Sequence, residues 1–238
     1  MIEHLEPSSS KYEDASKYES IADNYLFFPL SDLLVTPLRT IGLTPNAVTI
    51  LSTIISLSSI YFLSINEIEY ACGAYLFGYL LDCVDGNMAR KYNMGSKFGM
   101  ALDMVSDHFA SIIIFGYILY AKGINNWYIP AVILTVYLCS ISFPITEALA
   151  CYKKNGTDNF YKIREDEMQG ENGLLFKLYL FEYKEIYNNY RLYFPTYDEE
   201  KLLKYLEIFK NFGPGNTAIF FTILVYNLYK GNSWKIIN

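Results

Sequence analysis

Charge is what this chain has least of. Acidic and basic residues make up 18% of its 238 positions, where a soluble domain carries about a quarter. With 52% of residues apolar, that scarcity leaves too little polar surface for a water-exposed globule and points to a membrane. Basic residues form no patch of useful size and the formal charge is −6, so nucleic acid is not an expected partner. The four cysteines, Cys72, Cys83, Cys139 and Cys151, contain no C-x-x-C pair. They read as free thiols acting as small apolar side chains. Residues 1–24 lack the basic start and apolar stretch of a cleaved signal peptide and read as a polar cytosolic tail. No internal repeat is present, and the length suits one domain or at most two.

What is abundant is aromatic: 17% of the chain, including 23 Tyr, a residue at home at bilayer interfaces. Residues 25–42 mix apolar positions with Pro29, Asp32, Pro37 and Arg39 and read as a helix at the membrane surface. The membrane domain then runs over residues 43–238. Residues 45–66 hold 22 positions without a charge, enough to cross a bilayer as a helix. Further apolar runs cover residues 69–90, 98–121 and 127–150, the last with Pro144 as a kink. Residues 153–171 are polar and read as a loop. Residues 173–194 are apolar but carry Lys177, Glu182, Lys184, Glu185 and Arg191. Residues 216–229 become long enough to span only if joined to 206–212.

Basic residues set the orientation. Arg90, Lys91 and Lys97 cluster in the second turn, and Lys153, Lys154, Lys162 and Arg164 follow the fourth run. Those ends therefore face the cytosol. Lys230 and Lys235 join them if the number of crossings is even, which favours six.

Four carboxylates interrupt the apolar runs. Asp82 and Asp85 are three apart, and Asp103 and Asp107 four apart, so each pair shares a helix face. A short connection makes the two helices antiparallel, bringing Asp85 to Asp103 and Asp82 to Asp107. Each Asp deep in a membrane helix costs roughly 2.5–3.5 kcal/mol, so four unpaired ones would cost on the order of 10 kcal/mol. Hard divalent cations resolve that cost, and two of them could clamp a pyrophosphate. Asp82 lies eight residues before Arg90, about 12 Å along the axis, so the site is shallow beneath the cytosolic surface.

Together these residues spell Asp82-x2-Asp85-Gly86-x2-Ala89-Arg90-x8-Gly99-x3-Asp103-x3-Asp107. This resembles the signature of the CDP-alcohol phosphotransferase family at all eight specified positions. Chance gives such a match on the order of once in 10¹⁰ starting points. The resemblance covers the front two-thirds of the chain, including Leu43-Thr44-Pro45-Asn46. It implies an all-α integral membrane protein of about six transmembrane helices that often pairs as a homodimer. It also implies metal (Mg²⁺ or Mn²⁺, two ions) on Asp82, Asp85 and Asp103. Asp107 then also lies at the metals and acts as general base. Gly86, Ala89, Arg90 and Gly99 line the CDP pocket. The reaction implied is transfer of a substituted phosphate from a CDP-linked donor to an alcohol with release of CMP.

Within the family, residues 89–93 and 98–107 resemble phosphatidylinositol synthases, which implies CDP-diacylglycerol as donor and inositol as acceptor. His108 departs from that pattern, which commonly has Arg there. Choline or ethanolamine phosphotransferases acting on diacylglycerol are the alternative. A magnesium-dependent membrane prenyltransferase would not require Gly86, Ala89, Arg90 and Gly99 at these offsets. His108 points away from Asp107 and reads as a packing residue. Glu147, a further acid inside a run, reads as contacting a polar acceptor or as snorkelling to the surface.

Overall fold

The computed structural model describes residues 18–123 and 128–230, and every regular element among them is helical. Most of the polar tail, Trp127 and Lys235 lie outside the described residues. A π-helical turn, Asp23–Phe27, leads into α1 (Phe28–Thr40), followed by α2 (Pro45–Ser64), α3 (Ile68–Lys91) and α4 (Lys97–Lys122). Capping fixes where these helices begin. Thr44 accepts from the Ala47 N–H at 3.3 Å, with Pro45 pre-set at the first helical position. Ser96 accepts from the Gly99 N–H at 2.9 Å to open α4. Between α3 and α4, Asn93 takes φ +51°, a left-handed conformation that Asn tolerates. Among the described residues, α2 and α4 are the two helices long and apolar enough to cross a membrane, at 20 and 26 residues.

α3 is the centre of the packing, touching α1, α2 and the last helix, α9 (Pro214–Lys230). Against α2 the contact is backbone to backbone at Gly78. A Cβ there would collide with the Ser56 hydroxyl and stand 2.9 Å from the Ser56 nitrogen. A helix pair of this kind associates through close packing of small residues, since lipid offers no hydrophobic drive. We expect Gly78→Val to destabilise the protein by about 3 kcal/mol, because the obstructing atoms include backbone that cannot swing aside. Thermal unfolding in detergent checks this; an unchanged midpoint would mean the helices are free to separate there.

α1 runs beside the second half of α3, in the same direction. Its contacts recur at a constant offset: Asp23 with Tyr79, Ser31 and Asp32 with Asn87, Thr36 with Lys91 and Tyr92. Ser31 and Val35 are buried on this side, while Leu33 on the other is 70% exposed. Asp23 also fastens the far end of the chain. Its buried carboxylate accepts from Tyr79 Oη at 2.7 Å, Ser20 Oγ at 2.7 Å and the Gly215 N–H at 3.1 Å. Burial pushes the Asp23 carboxyl pKa up, and these donors pull it part of the way back. Asn216 completes the clasp, accepting from the Ala22 N–H at 2.9 Å.

A further core is built mainly from α5 (Tyr128–Asn155), α6 (Phe160–Glu167), α7 (Leu174–Tyr193) and α8 (Glu199–Phe209), with Ala101 of α4 packed into it. Its largest fully buried side chains are Ile145, Phe160, Tyr179, Tyr190, Leu202 and Leu206. The loop expected over residues 153–171 is thus helical over its middle. Asn159 caps α6 by accepting from the Lys162 N–H at 3.0 Å, and Lys162 pairs with Glu165 and Asp166 along it. Polarity alone concealed a helix that buries one aromatic side chain. Nor do residues 206–212 join the last helix. Pro214 has no N–H to continue it, and Gly213 before it is extended. Lys230 is the other correction. It pairs with Glu69 at 2.6 Å, at the opposite end of α3 from Arg90, so it does not join Arg90, Lys91 and Lys97 as an even number of crossings requires, and six crossings no longer follow from it.

Candidate active site

Asp82 and Asp85 stand on one face of α3 because three residues advance a helix by nearly one turn. Asp103 meets them from α4. Each of the three offers an oxygen, and those oxygens lie within 4.8 Å of one another. Asp107, one turn further along α4, is exposed to the cleft and within hydrogen-bonding reach of Asp82. Asp85 is 4% exposed and lies beside the buried Thr49 of α2, whose hydroxyl donates to the Pro45 carbonyl at 3.1 Å.

These carboxylates have more acceptor capacity than the protein fills. Asp82 Oδ1 and Asp85 Oδ2 are both buried without a hydrogen-bond partner. A buried carboxylate oxygen without a donor is costly, and three such groups together repel one another. Oxygen-only donors at this spacing are what a hard divalent cation takes. The residues present therefore fit a metal of that class.

The small residues of the signature do something other than bring α3 against α4. Those two helices make no extended backbone contact; α2 packs on both and leaves the space between them open. Gly86 lies under the guanidinium of Arg90, where a Cβ would come within 3.2 Å of it. Gly99 faces the Asn46 side chain at the start of α2, 2.8 Å from where a Cβ would stand. Ala89 is half-buried on the same turn of α3 as Gly86. Gly86, Ala89, Arg90 and Gly99 thus border the cleft that the four aspartates occupy.

Glu147 is not directed to a substrate. It is buried and paired with Arg164 of α6 at 3.2 Å, and Arg164 also binds Glu167 at 2.7 Å. Burial works against the Arg164 charge, but Glu147 and Glu167 hold the guanidinium charged, with the Tyr183 ring 5.6 Å from it. His108 directs Nδ1 to the Met104 carbonyl at 2.9 Å, turned from Asp107 towards α7 as its place on the helix requires.

Three residues near the site have no role assigned from the sequence, although Asn46 lies in the quoted stretch 43–46. Thr49 and Asn46 belong to α2 and reach the cleft only through its packing. Asn87 sits inside the signature but faces the other way. It donates to Asp32 at 2.7 Å and Ser31 at 3.0 Å, and so holds α1 against the site helix.

Comparison with known proteins agrees with this geometry. The family model described as CDP-alcohol phosphatidyltransferase matches residues 42–163, a stretch that contains all four aspartates. The chain is similar to the phosphatidylinositol phosphate synthase of Mycobacterium marinum, 35% identical over 96 residues, 40% of this chain and 41% of that protein. It is similar to a CDP-diacylglycerol–serine O-phosphatidyltransferase of Helicobacter pylori, 33% identical over 92 residues, covering 37% and 39% of the two chains. A CDP-diacylglycerol–inositol 3-phosphatidyltransferase of Schizosaccharomyces pombe is 39% identical over 67 residues, 28% of each chain. The chain therefore spans less than half the length of these curated relatives. No solved structure matches it.

Proposed function

The chain belongs to the CDP-alcohol phosphatidyltransferase family, and on that footing we propose that it transfers a substituted phosphate from a CDP-linked donor to an alcohol, releasing CMP, in phospholipid synthesis. The observation that carries this reading is the meeting of Asp82, Asp85 and Asp103 around two buried oxygens that lack partners. Donor and acceptor follow from the resemblance to phosphatidylinositol synthases: CDP-diacylglycerol and inositol. The names of the relatives include serine, inositol and inositol phosphate chemistries, so the acceptor rests on the residues 89–93 and 98–107 quoted above.

In this reading Asp82, Asp85 and Asp103 hold Mg²⁺ or Mn²⁺, two ions, with Asp107 at their edge. Such ions neutralise charge on the pyrophosphate oxygens of the donor. Asp107 takes the proton from the acceptor hydroxyl. The freed oxygen bonds to the phosphorus beside CMP, the bond from that phosphorus to CMP breaks, and CMP departs with the electron pair. Arg90 offers its guanidinium to the donor phosphates across the open side of Gly86, and Ala89 and Gly99 leave room for the nucleotide.

The membrane setting is part of the proposal. In this reading α2, α3, α4 and α5 cross the membrane, α9 ends on the opposite side from Arg90, and the aspartates lie towards the cytosolic face of an endoplasmic-reticulum-like membrane. α1, apolar on its outer side, meets lipid headgroups there. A second copy completes a homodimer.

CMP release by the detergent-solubilised protein with Mg²⁺ tests the reaction. CDP-diacylglycerol is offered with inositol, serine or glycerol 3-phosphate, and CDP-choline or CDP-ethanolamine with diacylglycerol. Turnover with CDP-diacylglycerol and inositol is the expected result. Turnover only with a CDP-amino alcohol would move the assignment to the choline or ethanolamine enzymes. No CMP from any pair, by protein shown to bind metal, would sink the reading.

A further inference from the structure

One acid near the site remains unused by the mechanism. Glu182 lies on α7, which packs along α4, and its Oε2 is 3.4 Å from His108 Nδ1, the residue next to Asp107. That nitrogen is 2.9 Å from the Met104 carbonyl, which can only accept, so Nδ1 carries its proton and directs it there. His108 therefore does not give Glu182 a well-formed hydrogen bond. Glu182 Oε2 is left buried with no hydrogen-bond partner. Glu182 thus stands against the turn of α4 that carries Asp107. Asp107 is the exposed member of the four aspartates.

Whatever alcohol reaches Asp107 enters beside a carboxylate that lacks a donor. A sealed carboxylate oxygen favours a ligand bringing O–H or N–H groups and disfavours one bringing a phosphate. The nearby guanidinium that could offset a phosphate, Arg164, is already committed to Glu147 and Glu167. We propose that Glu182 selects the acceptor: its free carboxylate oxygen receives hydrogen bonds from an unphosphorylated polar alcohol and turns away phosphorylated ones. This rests on the transferase reading above and adds which alcohols that site takes.

The test uses the full chain in detergent with Mg²⁺ and CDP-diacylglycerol. Acceptor KM is measured for inositol, serine, inositol 1-phosphate and glycerol 3-phosphate. The wild type is expected to prefer the first two, and inositol against serine tells hydroxyl donors from an ammonium. Glu182→Gln should raise the KM of the preferred acceptor about tenfold, with kcat and the KM for CDP-diacylglycerol within about threefold. Glu182→Lys should shift preference towards the phosphorylated alcohols. Inositol should raise the thermal midpoint of the wild type and not that of Glu182→Gln, a binding readout independent of turnover. His108→Gln, which removes the imidazole beside Glu182 and leaves the carboxylate, should keep the wild-type selectivity. Equal loss in His108→Gln and Glu182→Gln, or wild-type selectivity in both Glu182 variants, overturns the assignment and leaves the transferase reading standing. A wild type that releases no CMP with any acceptor overturns both.

Discussion

An Asp107→Asn variant is expected to fold normally and release CMP about 10³-fold more slowly than the wild type, the scale of a lost general base. The amide is isosteric with the carboxylate, so the packing of α4 is undisturbed. It cannot take a proton from an alcohol, and an alcohol at neutral pH is too weak a nucleophile to attack while still holding it. Asp82, Asp85 and Asp103 group their oxygens within 4.8 Å of one another, and Asp107 joins them at the edge, at Asp82. The KM for the CDP-linked donor should therefore move little while kcat collapses. A metal titration of the same variant separates the two roles open to this residue. An unchanged midpoint leaves it as base, whereas a large rise makes it chiefly a ligand. Full activity would remove it from the chemistry altogether.

Asp82→Asn should have effects of opposite sign depending on the metal. In EDTA the wild type keeps four carboxylates crowded at one cleft, with Asp82 Oδ1 and Asp85 Oδ2 buried and unpartnered. Replacing one charge by an amide relieves both repulsion and burial of charge, so the metal-free variant should melt higher than the metal-free wild type. With Mg²⁺ or Mn²⁺ the order reverses. Binding at a hundred times Kd stabilises the wild type by about 2.7 kcal/mol, a gain the variant should largely lose. Activity should fall at least 10²-fold, comparable to removing a transition-state charge stabiliser. Differential scanning of both proteins in EDTA and in metal checks this. A metal-free variant that melts lower than the wild type would mean the carboxylates hold the fold together by themselves.

How much of this was open to reading depends on the distance over which a residue acts. Asp82, Asp85, Asp103 and Asp107 are legible because helical periodicity and one short turn suffice to bring them together. The spans of α2 and α4 are legible because an uncharged run admits few other uses. The purpose of the small residues was only half legible. Spacing put Gly86 and Gly99 on the cleft faces, but only the structure shows them under Arg90 and Asn46, with α3 and α4 held apart. Thr49, Tyr79 and Glu182 gave no signal, since each gains its meaning from a partner tens of residues or more away. Glu147 misled for the same reason: its partner, Arg164, stood in what looked like a loop. The membrane count after residue 150 stayed closed because α7 mixes five charges with its apolar residues and α9 is short.

The clasp around Asp23 bears on when the protein becomes complete during synthesis. The turn that opens the described chain is held by Gly215 and Asn216, nearly two hundred residues later. Until the ribosome has delivered α9, Asp23 lacks its amide donor, and Tyr79 on the site helix is bonded to an anchor that is itself half secured. The helices that carry the whole signature, α3 and α4, are made before that moment. The nascent chain would thus carry every aspartate early, yet gain a firmly seated α3 only with its last helix, so the order of translation delays the site's final rigidity.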